Sequence, residues 1–208
     1  MPIYKTYEKE SFRWGIWKAD ETLEELALLM PHGDVCMQES IQRFSNENRR
    51  KEWLAVRVLL SYLSEKEYEI AYCPSGKPYL KDSSCRISVS HTNGYVAVAL
   101  HPLHEVGIDI ERYATRVMKV KERFMREDEY AEGDEIYALL LHWSAKETLF
   151  KLLGQEEVDL KEHLQILPFS IGQEGTMKAY EYKTAEKNDY TVFYRLEPEF
   201  VLTWSVNY

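Results

Sequence analysis

RISVSHTNGYVAVAL, residues 86–100, followed at once by HEVGIDIERY, residues 104–113, decides the fold. Ile87 and Val89, then Val96, Val98 and Leu100, alternate with smaller or polar residues on either side of Asn93-Gly94. Alternation with period two is the signature of a strand with one face buried, and Asn-Gly reverses a chain within two residues, so the stretch predicts a β-hairpin. The next stretch keeps the period. Val106, Ile108 and Ile110 fall on one side of a strand and Gly107, Asp109 and Glu111 on the other, which sets two carboxylates side by side.

Working outward, EYEIAYCPSGKPYL reads as strand, turn, strand, with Pro74, Ser75 and Gly76 as the turn. Upstream, Met37 to about Leu63 has helical spacing through Ile41, Phe44, Trp53, Leu54, Val58 and Leu59, with Ser45-Asn46 as a break and N-cap. FRWGIWKA from Phe12 reads as a short strand and ETLEELALLM as helix. Downstream, DEIYALLLHWSAKETLFKLLG, residues 134–154, is a helix closed by Gly154. Trp143, Glu147 and Lys151 recur in it at i, i+4 and i+8 and so share one stripe. MKAYEYK, DYTVFYRL and FVLTWSV return to strands. Strands with segregated helices give an α+β fold. The halves 1–103 and 104–208 have similar helix and hairpin content, each with a small antiparallel sheet and helices. No Gly/Ser linker divides them, which predicts close packing of the two.

The 208 residues, 45% hydrophobic and 13% aromatic, suffice for one substantial core or two small ones. MPIYKTYEKE carries no apolar leader and no stretch approaches the roughly 20 apolar residues of a membrane span, so a cytoplasmic location without a membrane partner is expected. Cys36, Cys73 and Cys85 lack C-x-x-C spacing and an even count, which predicts reduced thiols, at least two of them core filler. A net charge of −9 argues against nucleic acid as a partner, and an anionic ligand must meet a local cluster of positive charge.

Asp109 and Glu111 on a strand and Glu147 on a helix supply hard oxygen ligands of the kind Mg²⁺ takes beside a phosphate. The same residues also read as a solvated strand face with a Glu147–Lys151 surface pair, and taken alone they leave both readings open. Ser90-His91, just before the Asn-Gly turn, offers a phosphate or hydroxyl contact or a structural histidine. Arg43, Arg50 and Arg57 recur every seven residues. On one continuous helix they form an anion clamp, with Lys77 of Gly76-Lys77-Pro78 able to join, or else a solvated basic face. His101 and His104 have no further ligand at helical spacing, which discards zinc. Missing G-x-S-x-G, Walker, G-x-G-x-x-G and H-E-x-x-H motifs remove support for the enzyme classes that use them.

In this order, Gly76-Lys77-Pro78, Val89-Ser90-His91, Val106-Gly107-Ile108-Asp109-Ile110-Glu111, and Trp143-Ser144-Ala145-Lys146-Glu147 with Lys151 resemble the signature of the 4'-phosphopantetheinyl transferases. Trp53-Leu54-Ala55-Val56-Arg57 resembles that family's arginine-bearing helix, and Arg123-Phe124-Met125-Arg126-Glu127-Asp128-Glu129-Tyr130 its RFF-x-x-x-E-Y segment. The likeness runs from Arg50 to Lys151. Its specificity lies in G-I-D-I-E together with W-S-A-K-E-x-x-x-K, and it departs at Thr92 and Met125. The length resembles the larger monomeric type that activates peptide synthetases.

The resemblance implies a two-lobed pseudo-dimer with coenzyme A in the cleft between its halves. Asp109, Glu111 and Glu147 would hold Mg²⁺, His91 and Lys151 would contact phosphate oxygens, Arg57 and Lys77 would hold the adenosine end of coenzyme A, and Pro78 and Ser90 would also belong to its binding site. Arg43 and Arg50 rest on helical spacing alone. The implied reaction moves the phosphopantetheine arm to a serine of an apo acyl or peptidyl carrier protein of fatty-acid, polyketide or nonribosomal peptide synthesis, releasing 3',5'-ADP. Glu147, Lys151 and His91 would be the catalytic groups, with Glu147 also able to take the serine proton. Arg112, Arg116, Lys119, Lys121 and Arg123 form a basic stretch suited to an acidic carrier helix. The alternatives are a metal-dependent phosphohydrolase and a non-catalytic coenzyme A or carrier-binding protein.

Overall fold

The computed structural model describes residues 3–155, 157–184 and 188–208. The chain forms two compact units, one of residues up to Ala71 with Pro78–Leu103, the other of Tyr72–Lys77 with His104–Tyr208.

The first unit opens with β1 (Ile3–Lys9) and β2 (Phe12–Lys18), a hairpin in which Tyr7 stacks on Trp14 across the strands. Three helices follow: α1 (Leu23–Leu28), α2 (Gly33–Arg43) and α3 (Glu47–Ser64). Thr22 and Glu25 close a capping box on α1, satisfying two N–H groups that a helix start leaves open. Asn46 caps α3 by accepting from the Arg49 N–H, so the predicted break at Ser45-Asn46 is real and α2 and α3 are separate helices. The short strands β3 (Ile70–Tyr72) and β4 (Pro78–Leu80) flank the Gly76 turn. The predicted hairpin is β5 (Arg86–Thr92) with β6 (Tyr95–His101), where Thr92 faces Tyr95 across a two-residue turn and Gly94 alone takes the positive φ, 85°. The antiparallel sheet runs β1-β2-β6-β5. The amphipathic α3 buries Leu54, Leu59 and Leu60 with Trp17, Val96, Val98 and Leu100 of the sheet. Cys36 and Cys85 are half-buried against this core, Cys73 is exposed, and all three are free thiols.

In the second unit β7 (Val106–Arg112) leads into a 3-10 helix (Thr115–Arg123), β8 (Ala131–Glu132) and α4 (Glu135–Leu153). Then come β9 (Leu164–Ile166), β10 (Phe169–Ser170), β11 (Glu174–Glu181), β12 (Asp189–Leu196) and β13 (Phe200–Val206). The five-stranded sheet has the order β7-β13-β12-β11-β9, antiparallel throughout. Met177 and Ala179 of β11 alternate inward, as do Tyr190, Val192, Tyr194 and Leu196 of β12, and meet Leu141, Ala145, Leu149 and Leu152 of α4. This is the expected α+β architecture, a small antiparallel sheet and helical cover in each unit. Among the described residues no helix is long and apolar enough to cross a membrane.

Candidate active site

The second unit sets Asp109, Glu111, Glu147 and Lys151 together by packing α4 on β7 and β13. Gly107 makes the approach possible: a Cβ on it would lie 2.1 Å from the Thr148 carbonyl oxygen and 3.1 Å from Leu152 Cβ. Ser144 and Thr148, one turn apart on the buried side of α4, fix its rotation. Both hydroxyls bond the Thr203 hydroxyl of β13, at 2.8 and 2.6 Å, and Thr148 Oγ1 also donates to the Thr203 carbonyl at 3.2 Å. Thr203 pairs with Asp109 across the strands, so this polar zipper fixes where the stripe Trp143, Glu147, Lys151 meets the carboxylates of β7. Asp134 caps the start of α4, and Gly154, at φ 59°, its end.

Asp109 is buried, and its Oδ1 accepts from Lys151 Nζ at 2.7 Å, the same ammonium donating to the Ile108 carbonyl at 3.2 Å. Glu111 is half-buried and accepts from the Trp143 indole N–H at 2.8 Å. Burial, with the Asp109 charge beside it, pushes the Glu111 carboxyl up to about 7, against the lowering effect of the Trp143 hydrogen bond and Lys151. Glu147 is raised for the same reasons, burial first and Asp109 second, with Lys151 opposing. Three carboxylates thus crowd one low-dielectric region that a single ammonium leaves underneutralised.

That electrostatic excess, made of hard oxygen donors, fits a divalent cation in kind. Among the described residues no three His, Cys, Asp or Glu side chains stand in a group that could hold a metal ion as they lie. The ammonium of Lys151 and the indole of Trp143 occupy Asp109 and Glu111 in this arrangement.

The other sequence-predicted residues lie elsewhere. In the first unit Ser90 is buried on β5. His91 Nε2 accepts from Arg49 at 2.6 Å, with Glu52 Oε2 3.5 Å from His91 Nδ1. Arg49 and Glu52 escaped the sequence reading because counting in sevens selects Arg50 and Arg57. Arg43 ends α2, 3.9 Å from Glu39, so the one-helix premise for the arginine clamp does not hold. Arg50 donates to the Phe44 and Ser45 carbonyls of the α2–α3 junction. Arg57 turns back along α3 onto the Trp53 ring and carbonyl. Pro78 opens β4. Lys77 belongs to the second unit, where it donates to Glu105 at 2.7 Å and to the Leu152 carbonyl at 3.4 Å near the end of α4. Arg112, Arg116, Lys119, Lys121 and Arg123 are all exposed, while Val117 and Phe124 anchor the 3-10 helix and its C-cap in the core.

A family model described as the 4'-phosphopantetheinyl transferase superfamily matches residues 105–204. A protein named 4'-phosphopantetheinyl transferase gsp, from Aneurinibacillus migulanus, is 30% identical over 130 residues, 60% of this chain and 50% of that protein. The chain therefore spans about half the length of this curated relative. The matched segment contains β7, α4, all three carboxylates and Lys151, and over it the chain is similar to the 4'-phosphopantetheinyl transferase superfamily.

Proposed function

We propose that the protein transfers the 4'-phosphopantetheine arm of coenzyme A to a serine hydroxyl of an apo acyl or peptidyl carrier protein, with Mg²⁺, and releases 3',5'-ADP. The observation that carries the proposal is the crowding of Asp109, Glu111 and Glu147 around Lys151 inside the segment that matches the family.

Asp109, Glu111 and Glu147 would hold the Mg²⁺. The ion, when bound, supplies compact positive charge at the pyrophosphate. Lys151 leaves Asp109 for the phosphoryl oxygens and neutralises the charge that grows there, the main source of rate in this reaction class. The serine oxygen forms its bond to the β-phosphorus as the bridging P–O bond to the nucleotide breaks. The serine proton passes to Glu147, either directly or through a water beside it. For coenzyme A we assign His91 with Ser90 beside it, Arg57, Lys77 and Pro78, and Arg43 and Arg50 more distantly. His91 is best supported, because the Arg49 guanidinium, which also pairs with Glu52, stands against it and suits phosphate. The exposed Arg112, Arg116, Lys119, Lys121 and Arg123 would receive the acidic carrier helix.

The test is the product. Incubation with coenzyme A, Mg²⁺ and an apo carrier is expected to release 3',5'-ADP in proportion to the carrier supplied, and none without it. Release of inorganic phosphate without carrier would mean a phosphohydrolase instead.

A further inference from the structure

The segment Phe124–Tyr130 has no part in the mechanism above, yet it ends in a buried charge. Glu129 and Lys146 are both fully buried at the side chain and paired, with Lys146 Nζ 2.7 and 2.8 Å from the two carboxylate oxygens. The third ammonium proton goes to the Phe124 carbonyl at 2.6 Å. Glu129 also accepts the backbone N–H of Arg126 at 2.8 Å and of Ile166 at 2.7 Å. One ammonium and one carboxylate therefore tie together α4, the chain just after the 3-10 helix, and β9. A solvated surface lysine does none of this, and two buried charges are retained in a small core only where their surroundings satisfy them fully.

The consequence runs through Phe124. Its carbonyl is pinned by Lys146, and its ring, fully buried, meets the Trp143 ring edge-on at 5.2 Å. Trp143 in turn holds Glu111 through its indole N–H at 2.8 Å. Trp143 is itself only half-buried, so the plane of its indole is held by this edge contact together with its hydrogen bond to Glu111. We propose that Lys146 and Glu129 are a positioning pair: through Phe124 and Trp143 they set the orientation of Glu111, and they couple the basic 3-10 helix to the acidic site. The second part rests on the transferase reading of that helix and site; the first does not.

Lys146→Met keeps the length of the side chain, frees the Phe124 carbonyl and leaves Glu129 bonded to two N–H groups. Phe124→Leu removes the edge contact alone. The chain has five tryptophans, so ¹⁵N–¹H spectra of the indole groups show at most five peaks, and Trp143→Phe identifies the one that matters. Both variants are expected to move the Trp143 peak and leave the others in place. Both should also weaken Mn²⁺ binding several-fold by calorimetry, and in the carrier assay lower kcat on the order of tenfold with KM for coenzyme A unchanged. An unmoved Trp143 peak in folded Lys146→Met would overturn the proposal and leave the pair purely structural, whatever its Tm. If Lys146→Met does not fold, Phe124→Leu decides alone on the same peak. Wild-type protein inactive on every carrier would remove the transferase reading, and the indole peak would still decide the positioning.

Discussion

Replacing Gly107 by alanine adds one methyl group at the point where β7 and α4 touch. The added Cβ would sit 2.1 Å from the Thr148 carbonyl oxygen and 3.0 Å from its carbon, where ordinary contact begins at 3.4 Å. The obstacle is backbone, so no side chain can rotate out of the way, and the helix must draw back by about 1 Å, as interiors packed to crystal density have no slack to absorb it. Overpacking of this kind costs about 1–3 kcal/mol. For a domain of this size that is a fall in Tm of roughly 2–12 °C. The larger effect is geometric. Withdrawing α4 carries Thr148 off Thr203, lengthens the 2.7 Å Lys151–Asp109 bond and moves Glu147 away from the carboxylates of β7. A displacement of about 1 Å in a reacting group costs on the order of 100-fold in rate. Differential scanning calorimetry and the rate of holo-carrier formation at saturating substrates measure the two effects. Gly107→Ala with wild-type Tm and wild-type rate would refute the claim that this glycine lets the two halves of the site meet.

Further outcomes follow from single interactions. Lys151→Met should lower the rate by about 100- to 1,000-fold, the usual loss when one donor to developing charge is removed. Glu129→Leu strands the Lys146 ammonium in the core, which should lower stability by about 3–5 kcal/mol in urea titration; a change under 1 kcal/mol would contradict the burial of the pair. His142 is fully buried, donates from Nδ1 to the Ala138 carbonyl at 2.7 Å, and is pushed down from its usual range chiefly by that burial. Its neutral form is the folded one, so above pH 6.5 it imposes no penalty. As pH falls below 6.5 the unfolded chain takes the proton first and stability drops, by up to about 1.4 kcal/mol per pH unit. Urea midpoints between pH 7.5 and 5.5 should therefore fall more steeply for wild type than for His142→Leu. Charge reversal at Lys119 and Arg123 should raise KM for the carrier and leave KM for coenzyme A unchanged; the opposite pattern would move the docking surface elsewhere.

How much was legible depended on whether the signal was local. The Asn93-Gly94 hairpin, the alternation of β7 and the capped α4 were all read correctly, because each declares itself in one window by period and punctuation. Strand β1 was not read. It is an edge strand whose residues are mostly exposed, so IYKTYEK carries no buried face to show period two. Spacing set Asp109 beside Glu111 and Glu147 in line with Lys151, but why α4 can sit so close to β7 required seeing the carbonyl of Thr148 over Gly107. Lys146 reads in sequence as one more solvated charge on a helix. Only its partner 17 residues upstream, brought in by the turn after the 3-10 helix, shows that it is buried. Lys77 is the reverse case: a residue offered for coenzyme A whose ammonium here faces Glu105 and the last turn of α4.

The central claim is that Asp109, Glu111, Glu147 and Lys151 form a centre for transfer of a phosphopantetheine arm. The most direct measurement is the intact mass of an apo carrier protein after incubation with this chain, coenzyme A and Mg²⁺. A gain of one phosphopantetheine arm per carrier, abolished by Glu147→Gln and by chelating the metal, is predicted. Carriers from fatty-acid, polyketide and peptide synthesis that all keep their apo mass would contradict it.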